Sequence, residues 1–156
     1  MRLWTTLPCV LLVASVGACG EDSTTAATDA PSSNDAPTTQ AKRGDAAVWS
    51  IRRGTELTSG TTTFTASVSR LGCHSGVTGR VLEPAVTYED AQVVVTFEVE
   101  AAVGGSFDCQ GNDQVAHEVV LDEPLGDRAL VDGSCLEGGE AGTTSFCSPD
   151  GVRWPR

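Results

Sequence analysis

The stretch Val93-Val94-Val95-Thr96-Phe97-Glu98-Val99-Glu100 decides the fold. Val93, Val95, Phe97 and Val99 share one side of an extended chain, because side chains alternate with a period of two. The opposite side carries Val94, Thr96, Glu98 and Glu100 and grows acidic towards its end. A strand with one buried face reads this way, and β-branched residues suit it.

Working outward, the same alternation recurs. Ala47, Trp49 and Ile51 alternate with Val48 and Ser50, and Phe64, Ala66 and Val68 alternate with Thr63, Thr65, Ser67 and Ser69. Weaker runs lie at Val77–Leu82, Ala85–Tyr88, Val115–Leu121, Arg128–Val131 and Thr143–Cys147. Turn residues separate them: Arg53-Gly54, Ser59-Gly60, Glu89-Asp90, Gly104-Gly105, Gly111-Asn112-Asp113, Pro124-Leu125-Gly126 and Asp132-Gly133. No window carries a capped helical stripe. Seven or eight short strands in about 110 residues predict an all-β domain over 45–156, a small immunoglobulin-like β-sandwich, with a small β-barrel as the alternative.

Large apolar residues are few for such a domain, so its core needs a supplement. Four cysteines supply one: Cys73, Cys109, Cys135 and Cys147. An even number in an exported domain reads as two disulfides. Three pairings exist, and Cys73–Cys109 with Cys135–Cys147 is favoured. The first pair brackets the strands of 77–100, and the second closes the glycine-rich loop Leu136–Gly142, which has little to hold it otherwise.

The other two cysteines precede the domain. Arg2 is followed by the apolar run Val10-Leu-Leu-Val-Ala-Ser-Val16 and then by Val16-Gly17-Ala18-Cys19. The run spans roughly 10 residues, where a bilayer-spanning helix needs about 20. That order is the order of an export signal. Val16-Gly17-Ala18-Cys19 resembles the lipobox of bacterial lipoproteins, with an aliphatic residue and two small ones before a cysteine. The resemblance implies a signal peptide over 1–18 that is cut before Cys19, diacylglycerol on the Cys19 sulfur, acylation (palmitate) of the new N-terminus, and a chain held at the outer face of the cell membrane. Cys9 leaves with the signal.

From Gly20 to Gln40 no residue is both larger and more apolar than alanine. Residues 19–44 therefore read as the lipidated cysteine followed by a disordered Ser/Thr/Ala/Pro-rich linker, with an end-to-end distance of roughly 25–30 Å. The whole chain carries 10 Lys+Arg and 21 Asp+Glu. Removing residues 1–18 takes only Arg2, leaving 9 basic against 21 acidic residues and a net charge of −12. That balance argues against nucleic acid as a partner and against direct docking on anionic lipid.

Catalytic and metal motifs find little support. The hydrolase pattern G-x-S-x-G is absent, and Gly72-Cys73-His74-Ser75-Gly76 reads as a turn. No C-x-x-C or H-x₃-H spacing accompanies Cys73, His74 and His117, which leaves zinc without a ligand pattern. The acidic turns Asp108–Asp113 and Asp127–Asp132 do not follow the EF-hand loop. No cofactor is implied. The most distinctive stretch, Leu121–Gly133 around Pro124, Gly126 and Arg128, looks with Gly76–Arg80 and Cys135 like small secreted or lipid-anchored proteins of actinobacteria. That resemblance covers about residues 71–136 and implies a fold unit and an address and nothing catalytic. Arg128 and His117 are the candidate ligand-binding residues, and Arg128 reads first as an arginine that satisfies turn carbonyls.

The sequence thus leads to a lipid-anchored extracytoplasmic protein acting as a non-enzymatic binding or envelope-interaction module. Its partners would be the membrane, through Cys19, and an envelope protein or ligand. The alternative is an envelope enzyme or a metal-dependent ligand carrier that uses its acidic loops.

Overall fold

The computed structural model describes residues 43–155. The signal peptide over 1–18, Cys19 and nearly all of the linker lie outside the described residues.

Seven strands run through this part: β1 (Asp45–Ile51), β2 (Thr63–Arg70), β3 (Ala85–Tyr88), β4 (Gln92–Val99), β5 (Val115–Val120), β6 (Ala129–Asp132) and β7 (Val152–Trp154). They form one open, mixed network in the order β5-β2-β1-β4-β6-β7, with β3 on the other edge of β4. Neighbours are antiparallel except β4 and β6, which run parallel. The barrel alternative is not realised, because the network does not close.

β4 is the hinge of the architecture. Residues 97–99 pair with the first residues of β1, and 92–95 pair with β6. After Ala47, β1 leaves β4 and continues with β2 alone, through Ile51↔Ala66. The network therefore has two halves, β5-β2-β1 and β3-β4-β6-β7, that share one apolar cluster. Ala47 and Trp49, Phe64, Ala66 and Val68, Val93 through Val99 at odd positions, Val119 and Leu130 meet there. These are the residues that the two-residue period assigns to one face. Trp49 packs on Phe64 and Phe97, with centroids 5.7 and 6.1 Å apart, and its indole N–H donates to the Val95 carbonyl at 2.9 Å. A buried indole needs such an acceptor.

Both favoured disulfides form, Cys73–Cys109 and Cys135–Cys147. The second organises residues 133–151, which cover the outer side of β1. Val48 is buried there against Ala141 and Cys147, with Leu71 and Cys135 packed alongside. This small second core explains why Val48, on the polar side of the alternation, is 3% exposed. Close approach requires glycine at Gly151 and Gly44, among other positions. A Cβ on Gly151, whose φ is +70°, would sit 2.4 Å from the Cys135 Cβ, and one on Gly44 would sit 2.1 Å from the Val99 carbonyl oxygen.

Three expectations need correction. Thr143–Cys147 is not a strand but ends in the 3₁₀ turn Ser145–Cys147, because its chain must fold back to bring Cys147 to Cys135. Within Val77–Leu82 only Val81 makes a strand-like bridge, to Val99, since Thr78 is committed to side-chain hydrogen bonds. β7 was not foreseen. In addition, Arg43 and Gly44, read as linker, already pack: the Arg43 amide donates to Glu98 at 2.9 Å and its guanidinium to the Glu83 carbonyl at 2.7 Å.

Candidate functional site

Each disulfide adjoins an arginine matched to a carboxylate, Arg70 buried and Arg153 nearly so. Beside Cys73–Cys109, Arg70 at the end of β2 is 5% exposed. Its guanidinium donates to Asp45, to the Thr78 carbonyl at 3.2 Å and to the Glu100 carbonyl. Thr78, fully buried, accepts the Arg70 amide on its hydroxyl, and that hydroxyl donates to the Asp113 carbonyl. The Asp113 carboxylate accepts the Thr78 amide at 2.6 Å, and the Asn112 amide group donates to Arg70 and Gly72. The loops on either side of the disulfide are thus sewn to the end of β2. Asp113, the last residue of the acidic turn Asp108–Asp113, spends its carboxylate on this clamp.

Beside Cys135–Cys147, Asp132 at the end of β6 is fully buried. Its Oδ1 accepts the amide and the hydroxyl of Ser134 at 3.0 and 2.7 Å. Its Oδ2 accepts the Trp49 amide at 3.1 Å and Arg153 Nη2 at 2.8 Å. The carboxylate fills the gap that β1 leaves on departing from β4. Arg153 also donates to the Phe146 carbonyl at 3.0 Å and lies 5.9 Å over the Trp49 ring. Its Nε is buried without an acceptor. Four bonds to one carboxylate satisfy a buried charge well, a condition for tolerating it.

The two candidates from the sequence are not brought together. His117, on β5 opposite Ala66, stands edge-on to Phe97 with centroids 5.3 Å apart and caps the core. Arg128 does what turn chemistry predicts. It donates to the carbonyls of Leu125, at 3.0 Å, and Pro124, pairs with Glu123, and lies 5.4 Å over the Tyr88 ring. An open cleft around it is lined by Tyr88, Glu89, Asp90, Glu123 and Asp127, so the acidic loops do converge on Arg128, but His117 is not part of them. Among the described residues no group of three or more His, Cys, Asp or Glu is placed to hold a metal ion. His74, next to Cys73, bonds its Nδ1 to the Val77 carbonyl at 2.9 Å and packs on Phe107. Ser75 and Gly76, at φ 52° and 90°, form the turn expected of Gly72–Gly76. At the rim, the Glu100 carboxylate hydrogen-bonds Arg80 and raises the guanidinium pKa above its ordinary value.

A different surface stands out. On the outer side of β1 and β2, Ser50 faces Ser67 and Val48 faces Ser69, with Gln114 just before β5. These small residues floor a trough. Three adjoining hollows of about 540, 100 and 280 Å³ share Ser50, Ser67, Ser69, Gln114 and Phe146 between them and make one continuous groove. Arg52 and Arg53 flank one end, Arg153 and the 55%-exposed Phe146 form a wall, and the Cys73–Cys109 loops close the other end. Four arginines line the groove (Arg52, Arg53, Arg70 and Arg153), and no carboxylate does. Arg70 and Arg153 are paired with Asp45 and Asp132, so the uncompensated positive charge is that of Arg52 and Arg53 at one end, in a chain with 21 Asp+Glu against 10 Lys+Arg.

The sequence reading missed this groove. Its residues are serines and a glutamine on the solvent side of strands, spread from 48 to 153, and only the strand register unites them. No family model, no curated protein and no solved structure matches the chain.

Proposed function

We propose that the protein is a lipid-anchored, extracytoplasmic binding module without catalytic activity, and that the carboxylate-free groove across β1 and β2 is its binding surface. The groove is the observation that carries the reading. It is concave, it offers the hydroxyls of Ser50 and Ser67 and the amide of Gln114, and at its Arg52–Arg53 end its charge opposes that of the rest of the chain. Ligand sites combine such concavity with a few convergent polar groups. Two disulfides suit an oxidising compartment, and the lipobox-like Val16–Cys19 supplies the membrane address. The tether would hold the domain within reach of an envelope partner.

The test is co-purification of crosslinked partners from the native envelope with the parent chain, with Ser67→Trp, which fills the trough, and with Thr87→Trp, on the exposed side of β3. The reading requires a partner that the parent and Thr87→Trp retain and Ser67→Trp loses. Equal recovery with all three refutes it. The anchor is tested separately by fractionation: Cys19→Ala must leave the membrane pool or accumulate unprocessed, and parent-like membrane binding would contradict it.

A further inference from the structure

The geometry points to a specific ligand class for this groove, an acidic polysaccharide that carries carboxylate groups; the inference rests on the binding reading above. Arg52 and Arg53 are exposed, and among the described residues neither guanidinium has an ion pair, whereas Arg70 and Arg153 are already matched to Asp45 and Asp132. The unmatched charge therefore sits at one end of the trough. Guanidinium forks suit planar carboxylates, each of which accepts two parallel hydrogen bonds.

The rest of the groove favours a sugar chain over a peptide. Peptide strands dock by adding to a sheet edge, where backbone groups are open. Here the floor is a sheet face. β2 is paired on both sides, with β1 and β5, and the β1 amide at Trp49 is taken by Asp132. What remains for a ligand is side chains. Ser50, Ser67 and Gln114 each give and accept hydrogen bonds, as a ring of sugar hydroxyls does, and the exposed Phe146 ring offers a flat apolar surface at the rim. From Val48 to Arg52 the floor runs roughly 13 Å along β1, enough for a chain of rings and not for a single small ion.

The probe is polygalacturonate, titrated against the full-length chain in neutral detergent, beside dextran as a neutral glycan and polyglutamate as an acidic peptide. The expected result is saturable binding of polygalacturonate that weakens with added salt, with dextran and polyglutamate at least tenfold weaker. R52E/R53E must weaken it at least tenfold, while R52K/R53K keeps a measurable part of the affinity and the same unfolding midpoint as the parent. The inference is overturned if polygalacturonate does not bind, if polyglutamate or dextran binds as well, or if R52E/R53E binds like the parent. A failed polygalacturonate titration with a partner still lost in Ser67→Trp removes the ligand class alone. If Ser67→Trp also retains its partner, the binding surface falls with it.

Discussion

Replacing Asp132 by alanine removes a fully buried carboxylate. Its two oxygens accept four hydrogen bonds, from Trp49, Arg153 and twice from Ser134. Without them the Arg153 side chain, 10% exposed, becomes an uncompensated charge against the Trp49 ring. Breaking a buried ion pair by removing one partner costs about 3–5 kcal/mol, and each stranded buried amide costs about 1–3 kcal/mol. These losses overlap, since water entering the vacated space serves several donors at once, so about 4–5 kcal/mol is the expected total. A small domain has about 5–15 kcal/mol in all. Arg153→Met should cost less, about 2–3 kcal/mol, because Asp132 keeps three neutral donors. Urea unfolding followed by tryptophan fluorescence reads both, Trp49 being buried in the shared core. With a slope of about 2 kcal/mol per molar, Asp132→Ala should lower the midpoint by about 2 M. The double substitution should show a coupling of at least about 2 kcal/mol, as contacting residues do. A midpoint shift below about 0.5 M for Asp132→Ala, or additive single effects, would refute the assignment of this carboxylate as the piece that joins β1 to β6.

Further outcomes follow from the same geometry. Removing Cys73–Cys109, which spans 36 residues, should cost about 4 kcal/mol and removing Cys135–Cys147, which spans 12, about 3 kcal/mol by loop entropy, read from unfolding of the Cys→Ser pairs. Gly151→Ala should destabilise by at least about 2 kcal/mol, because it combines a positive φ with a collision at Cys135; a neutral result in thermal unfolding would mean that this turn is not held as described. Arg128→Ala should lower the unfolding free energy by about 1–2 kcal/mol through lost turn hydrogen bonds and Tyr88 contact, and should leave recovery of the envelope partner unchanged.

The strands legible in the sequence are those with one clean apolar face. In β2 the alternation is unbroken, in β4 only Val94 departs from it, and both place the expected residues inside. The disulfides were legible because four cysteines make an even set and each favoured pair closes a loop that has little else to hold it. Thr143–Cys147 misled because its apolar content serves a disulfide loop, where Cys147 and Ala141 cover Val48 rather than join a sheet. β7 was hidden by its length, three residues after Pro149-Asp150-Gly151, and it holds its place through pairing with β6. Arg128 was legible as a turn residue because its partners are three to five positions away. Arg153 was not, since Asp132 lies 21 residues off and no local pattern links them. The groove was least legible. Serines on the outer face of a strand carry no signal of their own, and the lack of carboxylates around them is a property of the assembled surface.

The most direct test of the binding account is site-specific photocrosslinking in intact cells, with a compact aliphatic diazirine side chain, small enough to leave the trough open, at position 67 on the groove floor and, separately, at position 87 on β3. The account predicts a discrete adduct at position 67 that is absent at 87 and disappears in the R52E/R53E background. Adducts of equal yield and identity at both positions, or none at 67 while 87 reacts, would contradict it.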